Sequence, residues 1–355
     1  MDNKENNIKF NPDVIDIKSM YFDELSKYLE EKGLPLFRAK QLFGWMHEKF
    51  TGSVDDMTNL PKSMRELIND EGFMTVSEET RQVSKKDGTI KFLFKLYDGQ
   101  MVETVFMRYS YGNSICISSQ AGCRMGCEFC ASTIGGLIRN LSASEMLEQV
   151  YAAMRLTGER ISNIVIMGTG EPLDNYDNVL RFIRIITDER GYNLSMRNIT
   201  MSTCGIVPRI YDLAKEKLSI TLAISLHAPN DEKRRKLMPI AKKYSISEIL
   251  DACKNYFELT GRRISFEYSL VKGENDSRED ALELSKLLKG INSHVNLIPV
   301  NSIEERDFKK GDDKSIQNFK LVLEKNSINV TIRKSVGSDI DAACGQLRRK
   351  YSVNV

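Results

Sequence analysis

Cys123-Arg-Met-Gly-Cys127-Glu-Phe-Cys130 places three cysteines within eight residues, in a loop that also holds Gly122 and Gly126. Small residues let such a loop curl, and three thiolates over that span can wrap one soft metal centre. A structural zinc site asks for four ligands, usually as two separated pairs. No second close pair follows, and His47, His227 and His294 are scattered along the chain. An iron–sulfur cluster held by three cysteines leaves one iron without a protein ligand. That vacancy is where a substrate or cofactor can bind and receive an electron.

The 355 residues suggest two or three domains at roughly 100–200 residues each. A composition with 41% hydrophobic and 28% charged residues excludes a disordered chain and a collagen. Fifty-one Lys and Arg against forty-nine Asp and Glu leave a formal charge of +2, so any nucleic-acid affinity must come from local patches. No apolar stretch approaches the ~20 residues of a membrane span. The opening MDNKENNIKF lacks an apolar signal core. A cytoplasmic protein without membrane attachment is therefore expected. In that reducing setting, clustered cysteines point to metal or redox chemistry rather than structural disulfides.

From about Gly112 onward, β-rich runs alternate with helical patterns. The runs are 114–118, 163–167, 199–202, 221–226, 264–270, 294–299 and 329–333. Ser142-x-x-Glu145 and Ser245-x-x-Glu248 are capping boxes, the second helix closing at Gly261. Such alternation predicts parallel strands with helices outside, as a barrel or a doubly wound sheet. Upstream, residues 76–111 predict a β-hairpin around Asp98-Gly99, and residues 21–75 a small helical module behind a polar leader, 1–20.

Several strand ends carry polar groups where a parallel barrel keeps its active site. Gly168-Thr-Gly170-Glu171-Pro172 follows one strand; the missing third glycine excludes a dinucleotide fingerprint. Met201-Ser202-Thr203, Ser225-Leu226-His227 and Asn296-Leu-Ile-Pro-Val-Asn301 end three more. Together they predict one shared polar pocket.

With its C-x3-C-x2-C loop after a strand and opening a βα series, the stretch from Gly112 to Gln346 resembles the radical S-adenosylmethionine (SAM) superfamily. The resemblance implies a partial (β/α)6 barrel over 112–347, with a basic tail at 348–355. It implies a [4Fe–4S] cluster on Cys123, Cys127 and Cys130, its open iron chelated by SAM. Gly170, Glu171, Ser202, Ser225, Leu226, His227 and Asn301 would contact SAM, Glu171 facing its ammonium. Phe129 would lie beside the cofactor.

Gly337-Ser-Asp-Ile-Asp-Ala-Ala-Cys344-Gly-Gln-Leu347, taken with Met167-Gly-Thr-Gly-Glu-Pro-Leu and Ser225-Leu-His-Ala-Pro-Asn, is similar to the adenine-C2 RNA methyltransferases of the RlmN type. That likeness implies methylation at C2 of one adenosine in 23S rRNA and of the adenosine 3′ of the anticodon in tRNAs. Cys344 would carry the methyl as S-methylcysteine, and Cys116 would resolve the RNA–protein adduct, leaving a transient Cys116–Cys344 disulfide. Glu103 matches a possible proton acceptor; Cys204 and Cys253 match no role. The likeness also implies an external donor such as a flavodoxin or ferredoxin system, and one site in one chain suggests a monomer. Lys233-Arg-Arg-Lys236 with Lys242 and Lys243, Arg348-Arg-Lys350, and the helical module are the candidate RNA contacts. Two other readings stand: a Cfr-type C8 methyltransferase conferring antibiotic resistance, which shares the core motifs, and a non-catalytic RNA-binding protein with a structural metal site.

Overall fold

The computed structural model describes residues 15–299, 311–333, 336–340, 347 and 348. Cys344, Asn301, Arg349 and Lys350 lie outside the described residues. Helices α1 (Phe22–Glu31), α2 (Leu36–His47) and α3 (Lys62–Glu71) come first. Pro35 and Pro61 precede α2 and α3, where a missing N–H leaves no helical bond unmade. Leu25, Leu29, Leu42, Phe43, Met46, Met64 and Ile68 close these helices around a core of their own.

The polar leader is anchored to the rest of the fold where it is described. Lys18 is fully buried, its Nζ donating to Met74 O at 2.6 Å and to Glu148 Oε1 at 2.7 Å.

Three antiparallel strands follow: β1 (Ser77–Val83), β2 (Ile90–Lys95) and β3 (Met101–Tyr109). The hairpin read from the sequence is β2–β3. It merges into the main sheet, because β3 pairs with β4 (Gly112–Ile117). The short strands β5 (Gln120–Gly122) and β6 (Leu137–Asn140) form a ribbon that brackets the cysteine loop.

The βα alternation then runs as expected. It comprises α4 (Ala143–Thr157), β7 (Asn163–Ile166), α5 (Tyr176–Ile186), β8 (Ile199–Thr203), α6 (Val207–Lys215) and β9 (Thr221–Ser225). It continues with α7 (Asp231–Leu237), α8 (Ile246–Thr260), β10 (Ile264–Leu270), α9 (Arg278–Leu287), β11 (Ser293–Pro299), α10 (Asp313–Lys325) and β12 (Val330–Ile332). Both capping boxes form, and Gly158 and Gly261 end their helices in the left-handed conformation.

The sheet order is β1-β2-β3-β4-β7-β8-β9-β10-β11-β12, parallel from β4 onward. Its edges β1 and β12 do not meet, so the sheet stays open. It nonetheless curls: Cys116 of β4 and Arg333, just after β12, line one cavity. This is the partial barrel expected from the sequence, with every parallel strand ending at the same mouth.

Candidate active site at the strand ends

The cavity at that mouth has a volume of about 370 Å³. Cys116, Cys123, Cys127, Cys130, Gly170, Glu171, Ser202, Ser225 and His227 all line it, so the structure brings together most of the residues singled out from the sequence. Leu226 is buried outside the lining and contributes backbone: its N–H donates to Glu267 O at 3.1 Å. Cys344 and Asn301 fall outside the described residues.

The cysteine loop owes its shape to glycine. Gly122 has φ +82°, and a Cβ there would lie 2.1 Å from Gly136 O, the carbonyl that accepts the Cys123 N–H at 2.9 Å. Behind the thiols stands an apolar shell of Met125, Phe129, Leu237, Met238 and Ile240. The loop is tied to it where Glu128 N donates to Leu237 O at 2.9 Å. Burial pushes the Cys123 thiol up to about 12 and raises that of Cys127 too, each further opposed by charge on its neighbours. Three thiolates in such a place need a cationic centre among them, as a metal cluster provides. Among the described residues, no three His, Cys, Asp or Glu side chains converge closely enough for a single ion. A cubane spreads its thiolates over separate irons and asks for spacing instead.

Across from the thiols, the loop after β7 is equally constrained. Gly170 has φ +110°, and a Cβ there would sit 2.6 Å from the Gln120 side chain. Gln120 accepts the Glu171 N–H at 2.8 Å and donates to Asp174 at 3.0 Å, while Asp174 pairs with Arg124 of the cysteine loop. Glu171 is 3% exposed; it accepts N–H bonds from Leu173 at 3.0 Å and from Cys204 at 2.7 Å. Burial raises its pKa despite these bonds, which suits a carboxylate awaiting a cationic ligand.

His227 completes the wall. Its φ of +56° is unusual for a side chain with a Cβ, and its Nδ1 accepts the Ser269 N–H at 2.9 Å. The imidazole is thereby neutral with hydrogen on Nε2; burial and then Arg234 hold its pKa down at about 3. Phe129 meets it edge-on at 4.8 Å, so this aromatic does stand at the cavity.

One expected RNA contact does not survive. Arg234, read as one member of a basic RNA patch, is fully buried. It donates to the carbonyls of Cys204 at 2.6 Å and of Ser225 and Leu226, both at 3.2 Å, fastening the turns after β8 and β9. Lys233 pairs with Asp280 at 2.7 Å, which leaves Arg235 and Lys236 as the exposed part of that run. Arg348 is half-buried, its N–H donating to Glu103 Oε1 at 2.7 Å. Glu103 itself is buried against Lys91 at 2.9 Å and is not among the cavity-lining residues. No disulfide links the described cysteines.

Residues 117–285 match the Radical SAM superfamily, and residues 15–72 match the Ribosomal RNA large subunit methyltransferase N-terminal domain. The chain is 58% identical to a probable dual-specificity RNA methyltransferase RlmN of Lachnospira eligens, over 96% of this chain and 97% of that one. The chain belongs to the RlmN family. A second relative of the same description, from Lachnoclostridium phytofermentans, is 59% identical over 95% of each chain. A crystal structure of a radical SAM methyltransferase from Sphaerobacter thermophilus superposes with a TM-score of 0.90 at 43% identity, covering 94% of this chain and 98% of that one. Membership in the radical SAM superfamily makes a [4Fe–4S] cluster and SAM the cofactors of this chain. The donor set fits both, with three thiols for the iron and a buried carboxylate for the ammonium. Sequence reasoning missed Glu267, Met238 and Arg333 in the lining. Glu267 carried a signal: an acid in a strand whose other residues read as core.

Proposed function

We propose that this chain is a dual-specificity RNA methyltransferase acting at C2 of adenosine in 23S rRNA and tRNA. The observation that carries this reading is the gathering of Cys116, the three loop cysteines, Glu171, Ser202, Ser225 and His227 around one cavity. When bound, the cluster and SAM supply a 5′-deoxyadenosyl radical at this place.

The chain's own groups do the rest. Cys344 would take a methyl from one SAM through its thiolate, lose a hydrogen atom of that methyl to the supplied radical, and join the resulting carbon to C2 of adenine; the adduct would then return one electron to the cluster and give up the C2 proton. Cys116 then attacks Sγ of Cys344, freeing the methylated base and leaving a disulfide for re-reduction. Support for Cys344 comes from its described neighbours in sequence. Val336 lines the cavity, Asp339 accepts from Ser84 Oγ at 2.6 Å, and Arg348 N–H holds Glu103. Glu103 as proton acceptor requires the carboxylate to part from Lys91 and Arg348. Glu171 takes the ammonium of SAM, and neutral His227 offers its Nε2–H.

RNA lies against Arg235 and Lys236 and against the helical module, where Phe37 is 54% exposed with Arg38 stacked on it at 4.7 Å. Stacking on exposed aromatics and Arg is a common mode for unpaired bases. No described helix is long and apolar enough to cross a membrane. A cytoplasmic monomer served by a flavodoxin- or ferredoxin-type donor completes the reading.

The test is an anaerobic assay with an rRNA fragment and methyl-labelled SAM. Label found first on Cys344 and then at C2 of one adenosine supports the proposal. Label at C8, or label in RNA that never resides on the protein, overturns it.

A further inference from the structure

Glu267 sits in the middle of β10, a strand buried along its whole length. In register it faces Ser225 of β9 and Asn296 of β11, and Asn296 faces Thr331 of β12. A polar row thus crosses four strands on one face of the sheet. The row is wired. Asn296 Nδ2 donates to Glu267 Oε1 at 2.9 Å, Thr331 Oγ1 donates to Asn296 Oδ1 at 2.7 Å, and His294 Nε2 meets Thr331 Oγ1 at 2.9 Å. These bonds fix the Asn296 amide and so the carboxylate, and an amide in the middle orients protons rather than passing them on.

Glu267 is 4% exposed and lines the cavity, and its Oε2 is buried with no hydrogen-bond partner among the described residues. Such an oxygen calls for a donor from a ligand. Next to it, Ser202 and Ser225 bring their hydroxyls within 3.2 Å of each other. Glu171 stands in the loop after β7, a strand three away from β10 and roughly 14 Å along the sheet at ordinary strand spacing. The two acids therefore meet different parts of an elongated ligand. One carboxylate oxygen beside two hydroxyls matches sugar hydroxyls. A ribose within RNA would bring its phosphates against this buried anion, which the smaller cofactor does not.

We propose that Glu267 is a binding residue for the ribose hydroxyls of the adenosyl group of SAM, held in position by Asn296. The proposal rests on SAM filling this cavity. The test measures binding of S-adenosylhomocysteine and of its 2′-deoxy and 3′-deoxy analogues to the anaerobic holoenzyme by calorimetry. The wild type should lose about tenfold or more on removal of at least one hydroxyl, the size expected for a hydrogen bond to a charged group. Glu267→Ala should bind S-adenosylhomocysteine about as weakly as the wild type binds that deoxy analogue, and should no longer distinguish the two. Asn296→Ala should reduce the discrimination without abolishing it, and melting curves and iron content verify that each variant is folded and loaded.

Binding of both deoxy analogues within about twofold of the parent by wild type, or full discrimination in Glu267→Ala, overturns the proposal while leaving SAM in the cavity. A parallel arm uses RNA carrying 2′-deoxyadenosine at the target. If Glu267→Ala abolishes discrimination there instead, the carboxylate reads the substrate and the proposal fails. Failure of fully loaded wild type to bind S-adenosylhomocysteine at all sinks the cavity reading and this one with it.

Discussion

Arg234 carries a guanidinium into the protein interior to hold three carbonyls, and its neighbours in the sequence gave no warning of it. Lys233-Arg-Arg-Lys236 reads as a solvated basic face, because a run of like charges says nothing about which one a helix turns inward. The structure turns Arg234 toward the turns after β8 and β9, between Cys204 and Leu226. Arg234→Lys keeps the charge but cannot span those acceptors, leaving buried carbonyls unpaired at about 1–3 kcal/mol each. Guanidinium unfolding should show a loss of about 3 kcal/mol; a change under about 0.5 kcal/mol would mean the guanidinium is dispensable. Glu171 shows the opposite case. Its place after a strand and a Gly-x-Gly turn was legible, and the fold supplies the N–H donors that aim it. Glu267 was harder to see, since an acid among Ile, Phe and Tyr reads as a break in a strand until its in-register neighbours are known.

At the scale of elements, the βα alternation was legible because parallel strands buried on both faces read as apolar runs and their helices carry capping boxes. The strand β1 was not. Ser77–Val83 contains Glu78, Glu79 and Arg81, and its residues are exposed or half-exposed throughout. Edge strands keep such charges and lose the hydrophobic alternation that marks a strand. The cysteine loop depends on its β5–β6 ribbon, where Gly122 leaves no room for a Cβ. Gly122→Ala should displace the Gly136 carbonyl and the Cys123 N–H that it accepts. Anaerobic reconstitution of that variant should give less than about half the wild-type iron and sulfide content, with the helical melting transition retained. Wild-type iron content would show that the loop tolerates the change and that the close approach does not govern cluster assembly.

For the whole molecule, the joint between the helical module and the barrel was invisible in sequence, because it uses polar residues from distant positions. Lys18 meets Glu148 of α4, itself bonded to Arg155 at 2.8 Å, and His47 Nδ1 meets Tyr151 Oη at 3.1 Å. His47 is buried, and burial followed by the Lys18 charge lowers its pKa to about 3. A histidine held neutral in the fold takes up a proton only on unfolding as the pH drops below about 6.5. Its contribution is thus complete above pH 6.5 and is lost toward pH 3, at about 1.4 kcal/mol per unit. The melting temperature should fall between pH 7 and pH 5, and His47→Phe should flatten that fall; equal slopes in both proteins would remove His47 from the account. The proposed function makes all of this scaffolding serve one feature, a cluster with an iron left open to SAM. The direct measurement is Mössbauer and electron paramagnetic resonance spectroscopy of the anaerobically purified, iron-57-labelled protein with and without SAM. Four irons per chain, one of them changing its signature when SAM is added, is the expected result. A chain that instead holds a single zinc, or a cluster whose spectra ignore SAM, contradicts it.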